Sequence, residues 1–258
     1  MNIAVIGGTG LIGRKVVRRL ARAGHSPVAV SRSGRSIAGS LAATADIVLG
    51  DGLAEAFEGV ELVIDVSNTS NPLDARVFTV GARNVIDAAV EAGVRRSIVL
   101  SIVGVQSSNY LYHRRKADQE VAYAESALDT TVVRASQFHE FPVSFFEAGA
   151  ALGAIPVFLG ARFQTVDSGE VADLIVAQVD EPVDGGLVEI AGPKVQVSRD
   201  LAKIWRDQKR ARGLIVNGPF PPQLLKFFRD GANLAGPDTV LGTRGFAEWL
   251  ETSDRTPR

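Results

Sequence analysis

Short apolar runs at residues 3–6, 27–31, 46–49, 62–66, 97–101 and 131–134 alternate with longer segments of helical period. Runs of this length bounded by turn residues predict strands, and their alternation with helices predicts an α/β fold built on a parallel sheet. Over residues 11–23, Ile12, Val16, Val17 and Leu20 share one side, Arg14, Arg18, Arg19 and Arg22 fall largely on the other, and Gly24 stands where such a helix stops. Residues 76–92 repeat the pattern, with Val77, Val80, Val85, Ile86 and Ala89 apolar and Gly93 as the stop.

After Gln137 the period loosens. The pattern predicts an apolar helix over 141–152, an extended run over 155–159, a helix over 168–179 capped by Asp167 or Ser168, a strand over Leu187–Ala191 and a helix opening at Ser198. The end of the chain, around Pro219-Phe220-Pro221-Pro222, reads as loops.

Composition narrows the chemistry. The absence of cysteine excludes disulfides, thiolate metal sites and cysteine nucleophiles. With three histidines, no metal site is expected. A balance of 28 basic against 29 acidic residues gives no overall positive field for nucleic acid or anionic membrane. The first apolar run is too short for a signal-peptide core, and the weakly polar stretch 148–161 is short for a membrane span and contains Pro156. A cytoplasmic protein with no nucleic-acid or membrane partner is expected.

Directly after the first run stands Gly7-Gly8-Thr9-Gly10-Leu11-Ile12-Gly13, which opens the amphipathic helix. A strand, Gly-rich backbone and a helix start present unpaired amide N–H groups and a positive helix end to a pyrophosphate, and a Cβ would block the turn and the ligand's approach. The G-x-x-G-x-x-G spacing differs from G-x-G-x-x-G, yet its context, with the second strand ending about 18 residues after Gly13, is that of a dinucleotide site. The expected fold is therefore a Rossmann doubly wound parallel sheet. Residues 1–140 form its NAD(P)-binding core, and 141–258 supply the remaining sheet and helix elements with a small C-terminal substrate-binding cap, integrated into one domain. Gly7, Thr9, Gly10, Leu11, Ile12 and Gly13 are the expected phosphate-side contacts.

The second strand ends Val28-Ala29-Val30-Ser31-Arg32-Ser33, with no carboxylate to take a ribose 2′-hydroxyl. Arg32 suits a bidentate contact to a 2′-phosphate, Ser31 adds a hydroxyl and Arg14 can approach from the helix, so NADP(H) is expected over NAD(H). Gly50-Asp51 is expected at the adenine, and Ser67 and Asn68 along the middle of the cofactor.

Tyr112-His113-Arg114-Arg115-Lys116 sets a phenol and an ammonium four residues apart on one helix face, about ten residues after the fifth strand. Ligands of such sheets lie outside the carboxyl ends of the strands. The ammonium favours phenolate, which suits Tyr112 to exchange a proton with a carbonyl or hydroxyl group, and Lys116 can also bond the nicotinamide ribose. His113 points about 100° away from Tyr112 and is left out of the chemistry. His139 reads either as a pocket residue or as a hydrogen-bonded buried histidine. Phe145, Phe146, Phe220, Phe227 and Phe228 read as core packing or as an apolar substrate wall.

The turn, the Tyr112-x-x-x-Lys116 pair, Asn84-Val85 on the preceding helix and Val133-Arg134-Ala135-Ser136-Gln137-Phe138 after the sixth strand together resemble the extended and atypical short-chain dehydrogenase/reductases. Within them the chain is most similar to the NAD(P)H-binding, NmrA-like branch, over roughly residues 1–180. The resemblance implies that the tyrosine is the acid/base, that the lysine supports tyrosine and ribose, and that a serine on the fifth strand orients the substrate carbonyl. Ser101 is the candidate for that serine. The run Ser101-Ile102-Val103-Gly104 also allows the position to fall on Val103, with Ser107 or Ser108 as a substitute.

Two functions follow. One is an NADPH-dependent oxidoreductase that passes hydride between the nicotinamide and a small, apolar carbonyl, enone or quinone-like substrate while Tyr112 moves the proton; an epimerase or dehydratase is a variant of it. The other, by analogy with NmrA-like regulators, is a non-catalytic NADP(H) sensor acting through a protein partner. The retained Tyr112 favours the enzyme. The expected partner is a small-molecule substrate, and the assembly a monomer or homodimer.

Overall fold

A computed structural model describes residues 1–69, 71 and 75–253. The elements of the first half are β1 (Asn2–Ile6), α1 (Leu11–Arg22), β2 (Ser26–Ser31), β3 (Leu41–Thr44), α2 (Leu53–Ala56), β4 (Leu62–Asp65), α3 (Val80–Glu91), β5 (Arg96–Ile102), α4 (Leu111–Ala124) and β6 (Asp129–Ala135). They are followed by α5 (Glu140–Ala150), β7 (Ala154–Val157), β8 (Arg162–Phe163), α6 (Ser168–Asp180), β9 (Leu187–Ala191), β10 (Gln196–Val197), α7 (Ser198–Gln208), β11 (Leu214–Asn217), α8 (Pro222–Asp230), β12 (Val240–Leu241) and α9 (Phe246–Ser253).

Eight strands make one sheet in the order β12-β9-β6-β5-β4-β1-β2-β3. The pairings of β1 with β2 and β4, β2 with β3, β4 with β5 and β9 with β12 are all parallel. The chain runs outward from β1 through β2 to β3, returns to β4 and then runs outward the other way. That reversal is the switch point of a doubly wound Rossmann sheet, as the sequence pattern predicts.

The chain forms two compact units. The first comprises Met1–Ser101, Leu111–Arg134 and Val171–Val188. All four residues of β4 are buried, the signature of a strand covered on both faces. Ala4 and Ile6 belong to a core with Leu53, Phe57, Ala82, Val85 and Tyr123, from the α2, α3 and α4 side. Strand alternation turns Ile3 and Val5 to the opposite face. The apolar stripe of α1 (Ile12, Val16, Val17, Leu20) is fully buried, each side chain contributing about 1.5–3 kcal/mol. Arg19 of α1 grips Asp173 of α6, and the Arg96 guanidinium donates to the last carbonyls of α6, those of Gln178 and Val179.

The second unit comprises Ile102–Tyr110, Ala135–Glu170 and the chain from Glu189 on. Its core is aromatic: Phe146, Phe158, Phe163, Trp205, Phe228, Phe246 and Trp249 are buried together. The rings of Phe158 and Phe220 stack with centroids 3.5 Å apart. Of the phenylalanines singled out above, Phe146, Phe227 and Phe228 are core, while Phe145 and Phe220 are half-buried against it.

The structure corrects the pattern in three places. Residues 46–49 are not a strand: the Asp46 carboxylate accepts the backbone N–H groups of Val48 and Leu49 and closes a turn, and Asn84 of α3 donates to the Ile47 and Val48 carbonyls. The third strand is β3, paired Val28↔Leu41 to Ser31↔Thr44. Residues 76–92 are not one helix, because a 3-10 turn over Arg76–Phe78 precedes α3. The end of the chain is more regular than its prolines suggest: Pro222 occupies the first turn of α8, where its missing N–H costs nothing, and Gly231 (φ +76°) ends that helix in the left-handed conformation. Among the described residues no helix is long and apolar enough to cross a membrane, and no cluster of His, Cys, Asp and Glu is suited to a metal.

Candidate active site

The glycine turn is held by backbone geometry that side chains would destroy. The Gly7 and Gly8 N–H groups both donate to the Val30 carbonyl, at 3.0 and 3.2 Å, which ties the turn to β2. Gly7 has φ +74°, and a Cβ there would lie 3.1 Å from Ser67 Cα. A Cβ on Gly8 would meet Ala29 Cα and the Val5 carbonyl at 2.9 Å, and one on Gly13 would lie 2.1 Å from the Gly7 carbonyl. These three glycines thus let α1 start directly on the end of β1. Gly10, the N-cap of α1, is exposed; no side chain caps the helix and its first turn carries no acid. The N–H groups at that end have no intrahelical acceptor and keep their partial positive charge for an anion. Thr9 is half-buried, Leu11 exposed and Ile12 buried at the same place.

At the end of β2, Ser31 is half-buried, and its hydroxyl lies 3.3 Å from that of Ser33, which accepts from Arg35 Nε at 3.4 Å. Arg32 and Arg35 are both exposed, so this corner carries two guanidinium groups; sequence reading had identified only the first. The exposed Asp51 is joined to Asp46 through its backbone carbonyl. Ser67 is 7% exposed, its backbone against Gly7, and its hydroxyl has no partner among the described residues. The glycines, the uncapped helix end and the unpartnered Ser67 hydroxyl all fit a dinucleotide.

The Tyr112 hydroxyl donates to Asn68 Oδ1 at 2.8 Å, so the loop after β4 reaches the first turn of α4. Tyr112 meets the Phe78 ring edge to face at 5.2 Å, and Lys116 Nζ lies 4.8 Å from the centre of that same ring. One phenylalanine is thus packed by both members of the Tyr-x-x-x-Lys pair. Lys116 is 4% exposed and donates to Gln119 Oε1. Burial pulls its ammonium down to about 8, and the carboxylates of Asp65 and Glu120 only partly offset that cost. Gln119 passes the contact on, donating from Nε2 to Asp65 Oδ2 at 2.8 Å, where the Tyr123 hydroxyl donates as well. Glu120 is held in turn by both arms of Arg134, at 2.7 and 3.0 Å.

Ser101, near the end of β5, is 3% exposed and its hydroxyl has no partner among the described residues. In the second unit, the Ser107 hydroxyl donates to the Gly104 carbonyl and the Ser108 hydroxyl accepts from Tyr110 N–H, so each holds a local turn. His139 is fully buried, with Nε2 against the Arg244 carbonyl and Nδ1 against the Thr165 hydroxyl. A carbonyl only accepts, so Nε2 carries the proton; burial lowers the pKa of this imidazole, which acts as a packing residue between Phe246 and Trp249. Asp65, Gln119, Tyr123 and Phe78 escaped the sequence reading. The available signal was the polar spacing of Lys116, Gln119, Glu120 and Tyr123 on one buried face of α4.

Residues 7–182 match the family model described as NAD(P)H-binding. Over 249 residues the chain is 30% identical to the (4-alkanoyl-5-oxo-2,5-dihydrofuran-3-yl)methyl phosphate reductase of Streptomyces griseus subsp. griseus, covering 89% of this chain and 86% of the relative. A photosystem II assembly factor, Ycf39 of Synechocystis sp., is 33% identical over 112 residues, 40% of this chain and 34% of that protein. Among solved structures, the NADPH-dependent quinone oxidoreductase QOR2 of Escherichia coli, complexed with NADPH, superposes with a TM-score of 0.76 at 19% identity, over 98% of this chain and 99% of that one. These similarities bear out the expected resemblance to the extended, NmrA-like short-chain reductases, and they support an NAD(P)H-dependent enzyme of the reductase kind.

Proposed function

This chain belongs to the NAD(P)H-binding family, and from that membership we propose that it is an NADPH-dependent oxidoreductase with Tyr112 as its acid/base. The observation that carries the reading is the packing of Tyr112 and Lys116 on the single ring of Phe78, with Asn68 on the tyrosine hydroxyl. Gly7, Thr9, Gly10, Leu11, Ile12 and Gly13 receive the pyrophosphate on the N-terminus of α1. Arg32 and Ser31, joined by Arg35, favour the 2′-phosphate of NADPH over the bare ribose of NADH. Ser67 and Asn68 line the middle of the dinucleotide and Asp51 its adenine end. The bound dinucleotide supplies the hydride. Tyr112 gives its proton to the substrate oxygen, so that a carbonyl becomes a hydroxyl, and recovers a proton from solvent. Lys116 keeps the resulting phenolate stable and holds the nicotinamide ribose. Ser101 orients the substrate oxygen.

The substrate class is a small, apolar carbonyl or quinone-like compound. The Streptomyces relative is named as the reductase of an alkanoyl-bearing oxo-dihydrofuranylmethyl phosphate, which supports a conjugated carbonyl but, through its phosphate, not the apolar character. The test is NADPH consumption across a panel of enones, quinones and ketones. Tyr112→Phe is expected to lower turnover about 10²–10⁴-fold while leaving NADPH affinity intact; unchanged turnover would remove Tyr112 from the chemistry.

A second reading, a non-catalytic NADP(H) sensor, is favoured by the match to an assembly factor and by the depth at which the Ser101 hydroxyl is buried. It requires that the protein bind NADPH and NADP⁺ with different effects on a partner and consume no NADPH across the same panel.

A further inference from the structure

Asp65 closes β4 and is fully buried. Its carboxylate accepts three hydrogen bonds: Oδ1 from the Ser67 N–H at 2.9 Å, and Oδ2 from Gln119 Nε2 and the Tyr123 hydroxyl at 2.8 Å each. The Gln119 amide has a fixed sense, because its oxygen faces the Lys116 ammonium and its nitrogen faces the carboxylate. Turned over, it would set donor against donor and acceptor against acceptor.

The carboxylate and the ammonium are therefore coupled through an oriented dipole. The relay engages one of the three Nζ donors and leaves the others for the ribose and phenol sides. The same carboxylate fixes the loop after β4 through the Ser67 amide, and that loop carries Asn68 to the Tyr112 hydroxyl.

We propose that Asp65 is the positioning residue of the proton-handling site, aiming Lys116 through the Gln119 amide and Asn68–Tyr112 through the Ser67 amide. The functional meaning of this relay rests on reading Tyr112 and Lys116 as the acid/base pair. Lysine, asparagine and tyrosine then move together, because one buried charge orders all three.

Other charges around Lys116 bear on its titration. On α4 these are Glu120, His113, Tyr112 and Tyr123; on β6, Arg134 neutralises Glu120. Arg76 before α3, Arg83 and Asp87 on α3, and Arg115 and Asp118 on α4 line a groove on the outer side of those helices. Phe78, the ring beneath Nζ, carries no charge.

The test reads Lys116 directly, in the full chain without cofactor, by NMR of ¹³Cε-lysine; the chain has six lysines and Lys116→Arg identifies the signal. The wild-type Lys116 signal is expected to titrate near 8. Gln119→Met keeps the length and apolar bulk of the side chain but cuts the relay, and is expected to lower the midpoint by about one unit, because the ammonium loses its acceptor. Asp65→Asn is expected to lower it as well, since the charge that favours the ammonium is gone. Gln119→Met is also expected to weaken NADPH binding about tenfold by fluorescence titration. A folded Gln119→Met protein with an unshifted Lys116 midpoint overturns the proposal, whatever becomes of Asp65→Asn. Failure of the wild type to bind NADPH removes the proposed function instead, and the Lys116 shift, read without cofactor, still decides the relay.

Discussion

Arg32 and Arg35 stand exposed at the end of β2, near the hydroxyls of Ser31 and Ser33, an arrangement suited to an incoming phosphate. An unsatisfied guanidinium gains far more from a dianionic 2′-phosphate than from a ribose hydroxyl, because charge-assisted bonds are roughly twice as strong as neutral ones. Arg32→Ala is therefore expected to weaken NADPH binding about 10–100-fold and NADH binding little. Ser31→Asp should invert the preference by repelling the phosphate and accepting from the 2′-hydroxyl. Fluorescence titration of both dinucleotides checks each variant; an unchanged NADPH/NADH ratio in Arg32→Ala would move the phosphate contact elsewhere. Arg32 was legible in the sequence because it directly follows a strand end. Arg35 was not, because the turn that brings it back to Ser33 depends on Gly34 in a positive-φ conformation against Thr44.

The junction of β1 and α1 separates two uses of glycine. The Cβ of Gly13→Ala would be driven into the Gly7 carbonyl at 2.1 Å, so α1 must lift off the turn, at a cost of about 1–3 kcal/mol and with loss of dinucleotide binding. Gly10 has φ −74°, which any residue adopts, and the nearest atom to its Cβ is the Gly7 carbonyl at 3.1 Å. Gly10→Ala is therefore expected to leave urea stability within about 1 kcal/mol of wild type and still weaken NADPH binding, by blocking the approach of the pyrophosphate. Equal losses of stability in the two variants would mean that both glycines serve packing alone. The element that carries the candidate chemistry, α4, was the least legible. His113, Lys116, Gln119, Glu120 and Tyr123 are its buried residues, so a polar stripe faces inward and apolar periodicity, the ordinary mark of a helix face, is missing. The Tyr-x-x-x-Lys spacing located the helix, and only the folded chain reveals that two members of the polar stripe, Gln119 and Tyr123, serve Asp65 on β4.

Across the whole molecule, legibility follows the length of the periodic segments. The strands 3–6, 62–66 and 97–101 and the helix 11–23 were readable because each buries a continuous apolar run or stripe. In the second unit β8, β10 and β12 are two residues long, too short to show a period, and the four-residue β7 and β11 are little longer; pairing there joins distant segments, Arg162–Phe163 with Gln196–Val197 and Leu214–Asn217 with Ala154–Val157. Burial of titratable groups on α4 has a consequence for the stability of the fold as a whole. His113 is 5% exposed and burial lowers its pKa from 6.5 to about 4, while His139 is lowered in the same direction for the same reason. Between pH 4 and 6.5 the unfolded chain therefore binds protons that the folded chain refuses, and stability rises with pH across that window. Stability that is complete above pH 6.5 should fall as the pH drops to 4, with His113 accounting for at most roughly 3 kcal/mol of the loss. The His113 contribution is isolated in His113→Gln, which has no proton to gain there: its urea midpoint should fall less between pH 6.5 and 5 than the wild-type midpoint, the remaining fall coming from His139. If the two midpoints fall in parallel over that interval, His113 is charged in the folded protein and its burial costs nothing that pH can recover.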